Sequence, residues 1–208
     1  MQKNAFTLLE ILVVIIIIAI ISAILLSVLI LSRRKSYQSS CQSNLRQINQ
    51  ALQIYISDYD DVYPPMDLVV SKEFPEVLRL SELRCPMSPS SPEGRHTKID
   101  SYAFNGHLMT IIGVGVNRVF RSSEIIYPST TVTFAEVTPP ERILQAPDPF
   151  KYKKPYPYGQ IRGWERHGGG ANYVFCDGHV KWHTENQVDC SPPDTNNGSR
   201  PSFGVGEN

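Results

Sequence analysis

The run from Ile11 to Leu31 constrains this chain more than any other feature. It is aliphatic almost throughout, interrupted only by Ala19, Ser22, Ala23 and Ser27. As a helix rising about 1.5 Å per residue it would reach roughly 30 Å, the hydrocarbon thickness of a bilayer. It is therefore long enough to span. A secretory signal peptide would carry a shorter apolar region, about 7 to 15 residues, ending at a small-residue cleavage site. Here the run passes directly into Ser32, Arg33, Arg34 and Lys35 with no such site. A wholly buried core helix is disfavoured by the near absence of a polar face.

One acid, Glu10, precedes this run, behind Phe6, Thr7, Leu8 and Leu9. A carboxylate inside a membrane costs about 2.5 to 3.5 kcal/mol on insertion scales, so it ordinarily has a partner or a task. If Met1–Ala5 were removed as a leader, Phe6 would carry a new α-amino cation. That cation would neutralise Glu10 of a neighbouring copy, and the pairing would set axial register.

The segment Phe6-Thr7-Leu8-Leu9-Glu10-Ile11-Leu12 resembles the N-terminal processing signature of type IV prepilins and type II secretion pseudopilins. The resemblance implies a prepilin peptidase that cuts between Ala5 and Phe6 and methylates Phe6, with Glu10 as the assembly acid. Ala5 departs from the glycine usual there. The implied protein is a structural subunit of a type II secretion pseudopilus or related type IV filament. Its partners would be the peptidase, copies of itself, other pilin-like subunits and an inner-membrane assembly platform. The alternatives are a type IV pilus subunit serving adhesion, motility or DNA uptake, and a tethered domain that binds a ligand or metal without polymerising.

Basic residues on both flanks of the span give a conflict over topology. Lys3 precedes it and Arg33, Arg34 and Lys35 follow it, so the positive-inside rule alone would leave the C-terminal part in the cytoplasm. The resemblance implies the reverse, a single-pass inner-membrane protein with a periplasmic head. Lysine plus arginine equals aspartate plus glutamate, and no basic, aromatic stripe is present, so nucleic acid is not an expected partner.

Beyond the span, Cys41, Leu45, Ile48, Leu52, Tyr55 or Ile56, and Tyr59 recur at helical spacing. The helix should continue to about Asp58 and lay its Leu45, Ile48 and Leu52 stripe on a globular head. Asp58, Asp60 and Asp61, before Pro64 and Pro65, read as a solvated helix end. A short helix is expected over Pro75–Leu83, strands over Ser101–Phe104 and Thr131–Val137, and a loop over Thr138–Glu165. The expected fold is α+β and pilin-like, a long N-terminal helix on a small antiparallel sheet. Its parts are a leader (1–5), a transmembrane and filament-core helix (6–35), a head (36–190) and a flexible tail (191–208).

Asp177-Gly178, between two alternating runs, predicts a two-residue hairpin. Phe175 would then face Val180 and Tyr173 would face Trp182 on one apolar side. Cys176 with His179, Val174 with Lys181, and Asn172 with His183 would share the other. His167 followed after nine residues by Asp177-Gly178 also resembles the C-terminal signature of one bacterial branch of prepilin-like proteins. The segments Cys41–Gln47, Arg84–Pro86, Ser101–Gly106 and Pro128–Val132 echo the same branch.

His179 and His183 lie roughly 13 Å apart along a strand, too far to share one ion without a bulge. His167 and His179 with Cys176 or Asp177 are weaker metal candidates than satisfied structural histidines, and Cys176 with His179 lacks an oxyanion site. The expectation is therefore no catalytic residue, no metal and no cofactor. Four cysteines, Cys41, Cys85, Cys176 and Cys190, allow three complete pairings. The preferred one joins Cys41 to Cys85, stapling the loop region to the helix, and Cys176 to Cys190.

Overall fold

The computed structural model describes residues 7–65, 68, 74–78, 83–88, 101–105, 108, 119–137, 143–144, 166–184 and 187–188. Among them one helix, α1 (Leu8–Asp58), runs 51 residues without a break. Thr7 caps it, its hydroxyl accepting the Glu10 N–H at 3.3 Å, and Glu10 places an acid in the first turn where the helix dipole favours it.

The helix has two chemically distinct halves. Every residue from Leu8 to Leu31 is exposed, including the aliphatic run. From Cys41 onward one face is buried: Cys41, Leu45, Ile48, Asn49, Leu52, Tyr55 and Ile56. This is the stripe that the spacing requires, and it seats α1 on the head.

Termination comes from backbone geometry as well as from the prolines. Asp60 and Asp61 both take positive φ, at 53° and 65°, a region aspartate tolerates better than most residues. The reversal lets the Asp61 N–H reach back to the Ile56 carbonyl at 3.0 Å. The Asp61 carboxylate accepts the Ser123 N–H at 3.0 Å, and Arg121 donates to the Asp60 carbonyl at 2.8 Å. The helix end is thereby tied to the 119–124 segment. A short helix, α2, spans Phe74–Val77, starting one residue before the expected Pro75–Leu83 and briefer.

The sheet contains β1 (Tyr102–Asn105), β2 (Val132–Glu136), β3 (Ile143–Leu144), β4 (Gly170–Phe175) and β5 (Val180–Thr184), in the order β3-β1-β2-β4-β5. Four of these strands, β1, β2, β4 and β5, form an antiparallel sheet, and β3 adds a short parallel edge on β1. The fold is thus α+β and pilin-like, a long N-terminal helix on a small sheet, as the resemblance implies. β3 falls where only loop was expected.

Two apolar layers flank the sheet. Tyr102, Phe104, Phe134 and Val174 pack with the α1 stripe, Tyr63 and Phe120 on one side. Ala103, Val132, Ala135, Val137, Ala171, Tyr173, Phe175 and Val188 form a second cluster. A register shift between Val132 and Phe134 bends β2 and places Phe134 in the helix-side layer.

The hairpin differs from its expected form by one residue. The ladder pairs Val174 with Val180, Tyr173 with Lys181 and Asn172 with Trp182. The Gly178 N–H returns to the Phe175 carbonyl at 2.9 Å, and Gly178 itself has φ of 93°. This is a three-residue loop, Cys176-Asp177-Gly178, closed by a left-handed glycine, and not the two-residue turn that Asp-Gly suggests. Phe175 therefore stacks on His179, with ring centroids 4.2 Å apart. Tyr173 and Phe175 go to one layer while Val174 goes to the other.

Gly170 opens β4 at a point of close approach. A Cβ built there would lie 2.4 Å from the Trp182 ring and 2.6 Å from the His183 carbonyl oxygen. Because one obstacle is backbone, Gly170→Ala cannot be absorbed by a side-chain rotation. The substitution should destabilise the head by about 1 to 3 kcal/mol, read as an earlier midpoint in urea unfolding of the full chain in detergent.

Candidate functional site

Two regions carry the candidate functional residues: the exposed first half of α1 and a buried polar cluster where β2, β4 and α1 meet. Glu10 lies in the first turn of α1, exposed, with the aliphatic run directly after it. Ala5 and Phe6 lie outside the described residues, as do Cys190 and the 191–208 tail. The described chain contains one helix long and apolar enough to cross a membrane. None of its apolar window is buried, which separates it from a soluble core helix.

The His167 and Asp177-Gly178 motif brackets β4. At the far end, the hairpin tip is held from several sides. The Cys176 N–H donates to the Thr131 carbonyl at 2.9 Å, the Asp177 N–H to Pro128 at 3.2 Å, and Gln53 of α1 reaches the Cys176 carbonyl at 3.5 Å. Asp177 accepts from the backbone N–H of His179 at 3.1 Å and lies 2.6 Å from its ring. Gly178 supplies the positive φ that the turn requires, and a Cβ there would meet Asn49 at 3.5 Å, an ordinary contact, so conformation and not space favours glycine. Asp177 and Gly178 thus close the turn beneath α1.

At the near end, His167 is buried. Its Nε2 lies 3.0 Å from Glu136 Oε1 and 3.7 Å from Cys85 Sγ. Carboxylate oxygens only accept, so this nitrogen carries the proton, and Nδ1 has no partner among the described residues. Glu136 is 1% exposed. Its Oε2 accepts the Asn172 N–H at 2.8 Å and its Oε1 the Asn172 side-chain amide at 3.0 Å. Gln42 of α1 in turn donates to Asn172 at 2.9 Å. A buried carboxylate would be very costly alone, and these donors are what make it tolerable.

Arg166 is the adjacent cation. It donates to the Val137 and Ser101 carbonyls. Burial pulls its pKa below the ordinary guanidinium value, while the neighbouring Glu136 charge opposes that fall. Trp182 donates to the His167 carbonyl at 2.9 Å and so fixes the base of the hairpin. The site reads as a hydrogen-bonded polar network stapling helix to sheet, in which His167 Nδ1 and Arg166 Nε have no partner among the described residues.

Against this network lies the disulfide Cys41–Cys85, with Cα atoms 5.0 Å apart. The expected staple between helix and loop is therefore present. The second expected bridge involves Cys190 and lies outside the described residues, among which Cys176 is a free thiol. Its side chain belongs to the helix-side layer, where Thr133 donates to its sulfur at 3.5 Å, and burial pushes its pKa up to about 11. That environment makes Cys176 an inert thiol, not a nucleophile.

His179 and His183 do not converge on His167. His179 stacks on Phe175, and His183 lies edge-on to Tyr173 and Phe175. Burial, with Lys181 nearby, lowers the His183 pKa. Glu136 is the member of the cluster that the sequence reading missed. It ends a strand buried on both faces, so no break in alternation marks it.

No curated protein and no solved structure matches this chain. Residues 1–26 match the family model described as "Prokaryotic N-terminal methylation motif". At that coarse level the N-terminal segment is similar to those of type IV pilin-like and pseudopilin subunits, processed by prepilin peptidase and assembled with other subunits.

Proposed function

We propose that the protein is a structural, non-enzymatic subunit of a type II secretion pseudopilus or related type IV filament. It would wait in the inner membrane as a single-pass precursor with an extracytoplasmic head, and enter the filament through α1 after cleavage between Ala5 and Phe6. The observation that carries this reading is the junction of two features. A methylation motif over residues 1–26 runs straight into a helix whose aliphatic half is exposed from Leu8 to Leu31. Such a surface is stable only in lipid or against sister helices. The Cys41–Cys85 bridge supports an oxidising compartment for the head.

The decisive measurement is the mass of the mature N-terminus. The mature chain should begin at Phe6, carry one added methyl group on its α-amine and lack Met1–Ala5. An intact Met1 on membrane-extracted protein would overturn the proposal.

A further inference from the structure

The disulfide and the buried pair beside it bring four metal-ligating side chains together. Ligand atoms of Cys41, Cys85, Glu136 and His167 all lie within 4.8 Å of one another, and all four residues are buried. From this geometry we infer that the reduced, dithiol form of the protein is a zinc site, and that forming the Cys41–Cys85 bond expels the ion.

Tetrahedral zinc takes sulfur at about 2.3 Å and nitrogen or oxygen at about 2.0 to 2.2 Å, which fixes the spacing between ligands at roughly 3.6 Å for sulfur to nitrogen and 3.4 Å for nitrogen to oxygen. Cys85 Sγ to His167 Nε2 is 3.7 Å, and His167 Nε2 to Glu136 Oε1 is 3.0 Å. Two edges of the tetrahedron are therefore nearly in place before any metal arrives. The sulfur-to-sulfur edge differs, because a covalent bond holds it short. Breaking that bond replaces it with a van der Waals contact and opens the edge in the required direction.

Other features of the cluster suit a cation. Asn172 fixes both Glu136 oxygens, and Gln42 fixes Asn172, giving the outer-shell support that orients metal ligands. Two thiolates, one carboxylate and Zn²⁺ leave one net negative charge, which the Arg166 guanidinium beside Glu136 balances. An entry path exists as a cleft of ≈ 560 Å³ that reaches His167 from the junction of helix and head. In the oxidised form, by contrast, only Glu136 and His167 remain as donors.

The chemistry balances. A dithiol reductant exchanges with the bridge, supplying two electrons and two protons, and is itself oxidised to a disulfide. Zinc then displaces the two thiol protons, and the His167 proton moves from Nε2 to Nδ1 as Nε2 turns to the metal. Reoxidation by a disulfide-bearing oxidant removes two electrons from the sulfurs and releases the ion. The site would hold the newly translocated head together until the bridge forms.

The test uses full-length protein in detergent, with and without prior reduction by a phosphine, titrated with Co²⁺ and then Zn²⁺. The reduced chain should bind one Co²⁺ with a thiolate charge-transfer band that Zn²⁺ abolishes, and the oxidised chain should show no such band. His167→Ala should weaken binding roughly a hundredfold, and His167→Cys, which restores a ligand, should recover most of it. Circular dichroism of each variant confirms that the head is folded. Absence of the band in reduced wild-type protein, or unchanged affinity in His167→Ala, would overturn the inference.

Discussion

Glu10→Ala should leave the chain inserted and trimmed but deplete it from assembled filaments by roughly a hundredfold or more. In the proposed assembly the Glu10 carboxylate meets the α-amine of Phe6 on a neighbouring copy within an apolar core. Removing one member of a buried ion pair strands the other charge, which costs about 3 to 5 kcal/mol. Since each 1.4 kcal/mol is a factor of ten, incorporation falls by about two to three and a half powers of ten. The spacing also suits Glu10 to a second role, because Thr7 caps the helix and Glu10 sits three residues on, as the acid of a capping box does. Glu10→Gln separates the two. Glutamine keeps the capping geometry and loses the charge, so it should behave like alanine if pairing matters and like wild type if capping matters. Filaments sheared from cells and quantified by immunoblot against the membrane pool provide the readout. Equal incorporation of Glu10→Ala and wild type would exclude pairing as the basis of assembly.

The long helix was legible because its two halves each obey a simple rule. The first is too uniformly apolar to be anything but lipid-facing or packed among like helices, and the second carries Leu45, Ile48 and Leu52 at helical spacing, all fully buried. The Cys41–Cys85 bridge was one of three pairings that the cysteine count leaves open, preferred because it would staple the loop region to the helix. The hairpin register was misread for an identifiable reason. Agreement between apolar residues on paired strands fixes register only where the opposite face is polar. Here β4 is buried on both faces, so Tyr173 and Phe175 satisfy one layer while Val174 satisfies the other. A shift of one residue leaves every apolar side chain covered. The choice was made instead by the turn, where Gly178 takes the left-handed position of a three-residue loop.

The same two-sided burial hid Glu136. In Val132-Thr133-Phe134-Ala135-Glu136 the acid looks like a strand terminus facing water, yet it lies beneath α1 with a histidine, an amide and a backbone N–H around it. His167 was singled out by its spacing from Asp177-Gly178, but nothing in a linear pattern pairs it with a carboxylate 31 residues earlier. Contacts of that separation are made by sheet topology. β2 and β4 are neighbours in space although β3 lies between them in the chain.

Replacing Cys41 and Cys85 together with alanine should lower the unfolding free energy of the oxidised head by about 3 to 4 kcal/mol. The bridge closes a loop with a sequence separation of 44 residues. In the chain-entropy view, such a loop restricts the unfolded ensemble enough to account for an effect of that size. A domain with about 5 to 15 kcal/mol of total stability would lose a large fraction of it. The cross-link also limits how far the unfolded chain expands, so its removal should steepen the dependence on urea while moving the midpoint lower. Full-length protein in detergent, with a chelator present and tryptophan fluorescence as the signal, gives both quantities. Cys176→Ala is the matched control, since Cys176 borders the same layer as a free thiol and its removal costs only about 1 kcal/mol with no change in urea dependence. If the double variant and the control unfolded alike, the bridge would contribute nothing beyond packing. The attachment of α1 to the head would then rest on the buried Leu45, Ile48 and Leu52 stripe and on hydrogen bonds such as those of Gln42 and Gln53.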